Sequence, residues 1–130
     1  MILGIPKEIL ENETRVAAIP ATVRQFIAAG FNVKVESGAG EKSQISNEDF
    51  KDSGAEIMPD AHSVFSGSDM ILKVNSPTDD EIELIKDGSS YISFFQTMKE
   101  TSKVISLQKK NVMSKKIVKL SYPTYQFSIP

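Results

Sequence analysis

The sequence predicts a single α/β domain, an open parallel sheet with helices on both faces. Three observations carry that prediction. Short runs rich in β-branched, aliphatic and aromatic residues recur at 1–5, 31–35, 55–58, 70–74 and 90–95. Segments with helical apolar spacing separate most of them. The connections are short, and no repeat or low-complexity linker interrupts the alternation. At 130 residues the chain supports one domain with a real core.

The first run, Met1-Ile2-Leu3-Gly4-Ile5, is closed as a strand by Pro6. A charged stretch follows, and Pro20 then opens a helix, where its missing N–H costs nothing. Val23, Phe26 and Ile27 supply the apolar side of that helix and Gly30 stops it. The alternation Phe31-Asn32-Val33-Lys34-Val35 marks a second strand, and Ser37-Gly38-Ala39-Gly40 a turn. Ser46 with Asp49 forms an N-cap box for a short helix ended by Gly54. A brief strand at 55–58, a short helix at 61–65 and a strand at 70–74 come next. Thr78-Asp79-Asp80-Glu81 reads as a capped acidic helix start, suited to the helix dipole. Gly88 ends that segment, a strand covers 90–95, and a helix runs from about 100 to 109. Val112-Met113 and Ile117-Val118-Lys119-Leu120 are two further short strand candidates.

Composition narrows the function classes. A net charge of -2 argues against a nucleic-acid partner, which calls for a strongly basic face. The absence of Cys excludes disulfides and Cys-based metal sites or nucleophiles, and no metal-ligand spacing is present. No apolar run approaches the length of a membrane span, and no secretory leader is visible, so a cytoplasmic domain without direct membrane insertion is expected. After Glu100 the chain has no acidic residue, while Lys109, Lys110, Lys115, Lys116 and Lys119 accumulate. The division expected is therefore a folded domain at 1–113 and a basic tail at 114–130. That tail is either a solvated end or a patch for an anionic surface.

Three places invite a chemical reading. The charged loop after the first strand contains Lys7, Glu8 and Arg15, and lies where ligands bind in open α/β sheets, beyond the carboxyl ends of strands. It is equally a solvated connection. Lys73, near the end of its strand, either reaches solvent or converges with Arg15 on one cleft suited to a small carboxylate or phosphate. The segment Gly38-Ala39-Gly40-Glu41-Lys42-Ser43 fails both as a dinucleotide fingerprint, because position 43 is Ser, and as a P-loop, because Glu41 stands before the Lys-Ser pair. A structural turn is the better reading. His62, the sole histidine, sits on a short surface helix and is read as incidental.

GIPKE at 4–8, ETRVAAIPATV at 13–23, the GAG turn and Gly54-Ala55-Glu56-Ile57 follow one another in an order that resembles the amino-terminal part of the alanine dehydrogenase and NAD(P) transhydrogenase alpha-subunit family. The resemblance covers 1 to about 113. It implies a Rossmann/flavodoxin-like sheet, NAD(H) as cofactor and NADP(H) on a partner component. It also implies that residues matching Arg15 and Lys73 hold a substrate carboxylate and carbonyl oxygen in the alanine dehydrogenases. Those enzymes carry a catalytic His at the position of Gln96, and Gln cannot exchange a proton near neutral pH. ILKVNSP at 71–77 and ISFFQ at 92–96 resemble the transhydrogenases, which pass hydride directly between nicotinamides. The resemblance therefore points to the NAD(H)-binding component of a proton-translocating transhydrogenase. Membrane and NADP-binding components would be its partners, reached peripherally at the inner membrane.

The family's second nucleotide-binding domain and its fingerprint are not in these residues, so a truncated chain inactive alone is expected. An alanine-dehydrogenase-like substrate domain and a non-catalytic interaction module are the alternatives. Apolar surface left uncovered by a missing half would favour a homodimer.

Overall fold

The computed structural model describes residues 1–94, 101–110, 113–119 and 126–129. Seven strands form one sheet: β1 (Ile2–Ile5), β2 (Asn32–Glu36), β3 (Glu56–Met58), β4 (Met70–Leu72), β5 (Ser90–Phe94), β6 (Met113–Lys119) and β7 (Gln126–Ile129). Their order is β3-β2-β1-β4-β5-β6-β7. Neighbours from β3 to β6 pair in parallel, as the alternation of strands and helices requires. β7 returns antiparallel along β6, from Lys116 opposite Ile129 to Lys119 opposite Gln126. The helices are α1 (Pro20–Ala28), α2 (Asn47–Asp52), α3 (Ala61–Gly67), α4 (Asp79–Leu84) and α5 (Thr101–Lys109).

Two separate apolar clusters show that both faces are covered. Leu3, Ile5, Val33 and Val35 pack with Val23 of α1 and Phe50 of α2. Ile71 and Tyr91 pack instead with Val64 and Phe65 of α3, Ile82 of α4 and Leu107 of α5. Period-two alternation places Gly4 on the second face, between Leu3 and Ile5 of the first. A Cβ there would run into the Ser68 hydroxyl and Val64 Cγ1, so the bare backbone of Gly4 is what lets α3 approach the central strand.

The local signals do what their chemistry dictates. Pro20 stands in the first turn of α1, and Gly30 follows its end at φ +100°. Ser46 and Asp49 form a reciprocal capping box on α2, and Thr78 and Glu81 form another on α4. The carbonyls at the end of α4 are met from outside by Lys110, whose Nζ donates to Ile82 O at 3.0 Å and Glu83 O at 3.1 Å.

Some boundaries differ from the sequence expectation. β4 stops at Leu72 rather than residue 74, because the Val74 and Asn75 N–H groups donate to the Glu8 carboxylate and not to a neighbouring strand. Met113 and residues 117–119 of the two short candidates belong to one strand, β6, held between β5 and β7, while 112 and 120 lie outside the described residues.

Candidate functional site at the sheet switch point

Sheet order locates the site. From β1 the chain moves to β2 and β3, then crosses to the other side of β1 at β4. The segments leaving β1 and β4 therefore part in opposite directions, which opens a crevice beyond their carboxyl ends. A cavity of about 330 Å³ lies there, lined by Arg15, Lys73, Val74, Ile92, Ser93 and Phe94 among others. A hollow of about 400 Å³ lies at the opposite ends of the strands, by Ile2 and Asn32. It is the larger of the two, but none of the buried ionisable side chains lines it.

The loop after β1 is anchored rather than loose. Pro6 is fully buried, the Lys7 N–H donates to Glu36 Oε1 at 2.9 Å, and Ser43 Oγ donates to the Thr14 carbonyl. Asn12 takes a left-handed conformation, φ 65°, within a turn closed by Glu13 N–H to Leu10 O. Asn tolerates that region better than most residues.

These anchors bring together a continuous polar network. The Glu8 carboxylate accepts from Val74 N–H at 2.8 Å, Asn75 N–H at 3.1 Å and Asn75 Nδ2 at 3.1 Å. Asn75 Nδ2 also donates to Glu13 Oε1 at 2.9 Å, and Glu13 grips the Arg15 guanidinium through two bonds of 2.9 Å. On the other side, Lys73 Nζ donates to both oxygens of Glu81, at 2.7 and 2.9 Å, and stands 3.9 Å from Glu8. The Lys73 and Glu8 side chains are only 1% and 2% exposed, whereas Arg15 is 60% exposed at the mouth. Charges this dry persist only when paired and hydrogen-bonded, which is the state of both.

The electrostatics follow from the contacts. Arg15 holds the Glu13 carboxyl down to about 2, helped by the Asn75 amide and opposed by partial burial. Reciprocally, Glu13 raises the Arg15 guanidinium above its ordinary value. Glu36 moves upward, since its burial outweighs the Lys7 N–H bond and the nearby Lys7 charge.

Arg15 and Lys73, read from sequence as cleft candidates, thus line one cavity. Lys73 does not reach solvent; it ends in a buried ion pair. Lys7 is half-buried and ties the loop through its backbone N–H. Gln96 lies outside the described residues. His62 is exposed on α3 and lines neither cavity.

Sequence reading placed Glu8 in the charged loop without a role, and passed over Glu13, Asn75 and Glu81 as site members. Glu81 was legible only as a helix cap, and nothing local marks a carboxylate whose partners are 66 residues away. Among the described residues, no group of three or more His, Cys, Asp or Glu is placed to hold a metal ion, and no helix is long and apolar enough to cross a membrane.

The turn Gly38-Ala39-Gly40 is shaped by packing. A Cβ on Gly40 would lie 2.7 Å from Ile45 O and 2.8 Å from Phe50 Cε2, so this glycine serves the approach of α2.

Fold and site together define a doubly wound, Rossmann-like α/β domain with a charged crevice at its switch point. Residues 4–119 match the family described as "Alanine dehydrogenase/PNT, N-terminal domain". The chain belongs to that family. It is 43% identical over 116 residues to the NAD(P) transhydrogenase subunit alpha of Haemophilus influenzae, covering 88% of this chain and 22% of the relative. Over 128 residues it is 39% identical to the alanine dehydrogenase of Methanococcus maripaludis, covering 98% of this chain and 33% of the relative. Among solved structures, an L-alanine dehydrogenase superposes with a TM-score of 0.85 at 27% identity, covering 89% of this chain and 32% of the other. A transhydrogenase from Sinorhizobium meliloti gives 0.85 at 28% identity, covering 89% and 33%. The chain therefore spans between a fifth and a third of these relatives' length.

Proposed function

We propose that this chain is the amino-terminal part of the NAD(H)-binding component of a proton-translocating NAD(P) transhydrogenase, whose reaction moves hydride from NADH to NADP. The observation that carries this reading is the lack of an imidazole at the crevice. The sole His of the chain is on α3, and the position after β5 that resembles the catalytic His of alanine dehydrogenases is Gln96. Amino-acid oxidation needs a group that trades protons with substrate nitrogen and oxygen, and an amide cannot do so. Direct hydride transfer asks the protein only to position two cofactors and to exclude water.

The Gly38–Gly40 turn does not fit a pyrophosphate, because its space is filled by Ile45 and Phe50. In this reading the nucleotide is held by the part of the family proteins that lies beyond the match, and these residues alone neither bind NAD(H) tightly nor turn over. NADP(H) sits on a partner component, and any membrane association is peripheral, through partners. The chain's edge of the cleft would be Arg15, Lys73 and Lys7, with Gln96 as the further candidate.

A second reading, an alanine-dehydrogenase-like substrate domain, is favoured by one observation: residues Arg15 and Lys73 border the same cavity. One experiment separates the two. The chain is combined with a family nucleotide-binding domain and the NADP-binding component, and 4-deuterated NADH is supplied with NADP. Deuterium appearing in NADPH, with no alanine-dependent reduction of NAD in a parallel reaction, is the expected result. Alanine-dependent NADH formation without transfer to NADP would overturn the proposal in favour of the second reading.

A further inference from the structure

We infer that Glu81 is the positioning residue for the Lys73 ammonium, and that it does this with the same carboxylate that caps α4. The inference rests on reading the crevice as the ligand site, but not on which of the family's reactions takes place there. Glu81 occupies the third position of α4, and its Oε1 accepts the Thr78 N–H at 2.9 Å while Thr78 Oγ1 accepts the Glu81 N–H at 3.2 Å. The two oxygens also receive Lys73 Nζ, at 2.9 and 2.7 Å. A capping box alone leaves its carboxylate at a solvated helix end. This one is only 6% exposed on its side chain, and the cation it holds is 1% exposed, buried beside the cavity that residue Lys73 borders.

Glu8 is the other carboxylate beside that cation, but at 3.9 Å it is beyond hydrogen-bond reach. Its oxygens are already engaged by the Val74 and Asn75 N–H groups and by Asn75 Nδ2. Glu81 therefore fixes where the ammonium points, and Glu8 supplies only charge at a distance. An anion entering the cavity has to draw Lys73 from Glu81, so this pair sets how available the cation is.

The substitution Glu81→Gln separates the two roles, since Gln serves in a capping box as well as Glu does. The probe is an amine-directed acylating reagent, with labelling of Lys73 in the full chain read by peptide mass spectrometry against exposed Lys86. Expected in Glu81→Gln is a rise of about tenfold or more in relative labelling of Lys73, the effect of losing a charge-assisted pair, with helix content unchanged. Glu8→Gln should raise it far less. Equal labelling of Lys73 in the parent and in Glu81→Gln, or a larger rise in Glu8→Gln, would overturn the inference.

A second measurement needs no variant. In the unaltered protein the Lys73 ammonium should show a through-hydrogen-bond NMR coupling to the Glu81 side-chain carbonyl carbon. Coupling to Glu8 instead would refute the assignment even if Glu81→Gln failed to fold. The readout uses no nucleotide, so a failed hydride-transfer assay leaves it intact, and its own failure leaves that assay intact.

Discussion

Removing the Glu8 side chain should damage this domain more than any other single change in the crevice. The carboxylate is 2% exposed and accepts the Val74 N–H at 2.8 Å, a donor that has left the sheet ladder. Glu8→Ala strands that buried donor, frees the half-buried Asn75 N–H, and removes a carboxylate 3.9 Å from Lys73 Nζ. A buried donor left unsatisfied costs about 1–3 kcal/mol, and two such groups set a range of about 2–6. Against this, Lys73 remains paired one-to-one with Glu81, so the full cost of orphaning a buried charge does not apply. The half-buried Asn75 amide also recovers part of its loss from water.

The net expected is about 3–4 kcal/mol, a large share of the roughly 5–15 that hold a domain together. Glu8→Gln keeps one acceptor oxygen but turns an amide donor toward the remaining N–H groups, so about half that loss is expected. Urea unfolding followed by far-UV circular dichroism measures both, with an unchanged m-value showing that stability rather than compactness has moved. Stability of Glu8→Ala within about 1 kcal/mol of the parent would refute the reasoning. It would mean that Val74 and Asn75 find other acceptors.

Three further outcomes are expected. Gly4→Ala should cost about 1–3 kcal/mol through overpacking against Ser68 and Val64, and Ser68→Gly in the same chain should restore part of it in a double-mutant cycle; strictly additive effects would show that the contact is not the cause. Glu13 has a depressed folded pKa, about 2, so its contribution is full above its unfolded value and is lost as pH falls from about 4.5 to about 2. Because Arg15 is 60% exposed, that contribution is about 1 kcal/mol, and Glu13→Gln should remove it together with its share of the acid-side slope in thermal melts. Glu36 has the opposite sign. Its pKa is raised by burial, so stability falls as pH rises from its unfolded value through its folded one, and Glu36→Gln, still able to accept the Lys7 N–H, should be neutral to slightly stabilising at pH 7 and neutral in acid.

How much of this could be read from the chain depends on how far each signal reaches. Pro20 opening α1, the Ser46–Asp49 and Thr78–Glu81 boxes, and the Gly38–Gly40 turn are governed by atoms three or four residues apart, so they were legible and hold in the structure. The α/β alternation was legible for a related reason, since apolar period reports which face each segment buries. The antiparallel return of β7 was not, because pairing direction depends on where the chain re-enters the sheet.

The site divides along the same line. Sequence determined that a charged loop follows β1, that Lys73 comes at the end of β4, and that no Cys and a single His limit the available chemistry. Only tertiary structure decided that β4 lies beside β1, and it thereby turned Glu8 from a loop carboxylate into a clamp on Val74 and Asn75. It also decided that Lys73 is stowed against Glu81 rather than reaching solvent. The physical reason is that a buried charge is defined by its partners, and these are set by strand order, which no local pattern encodes.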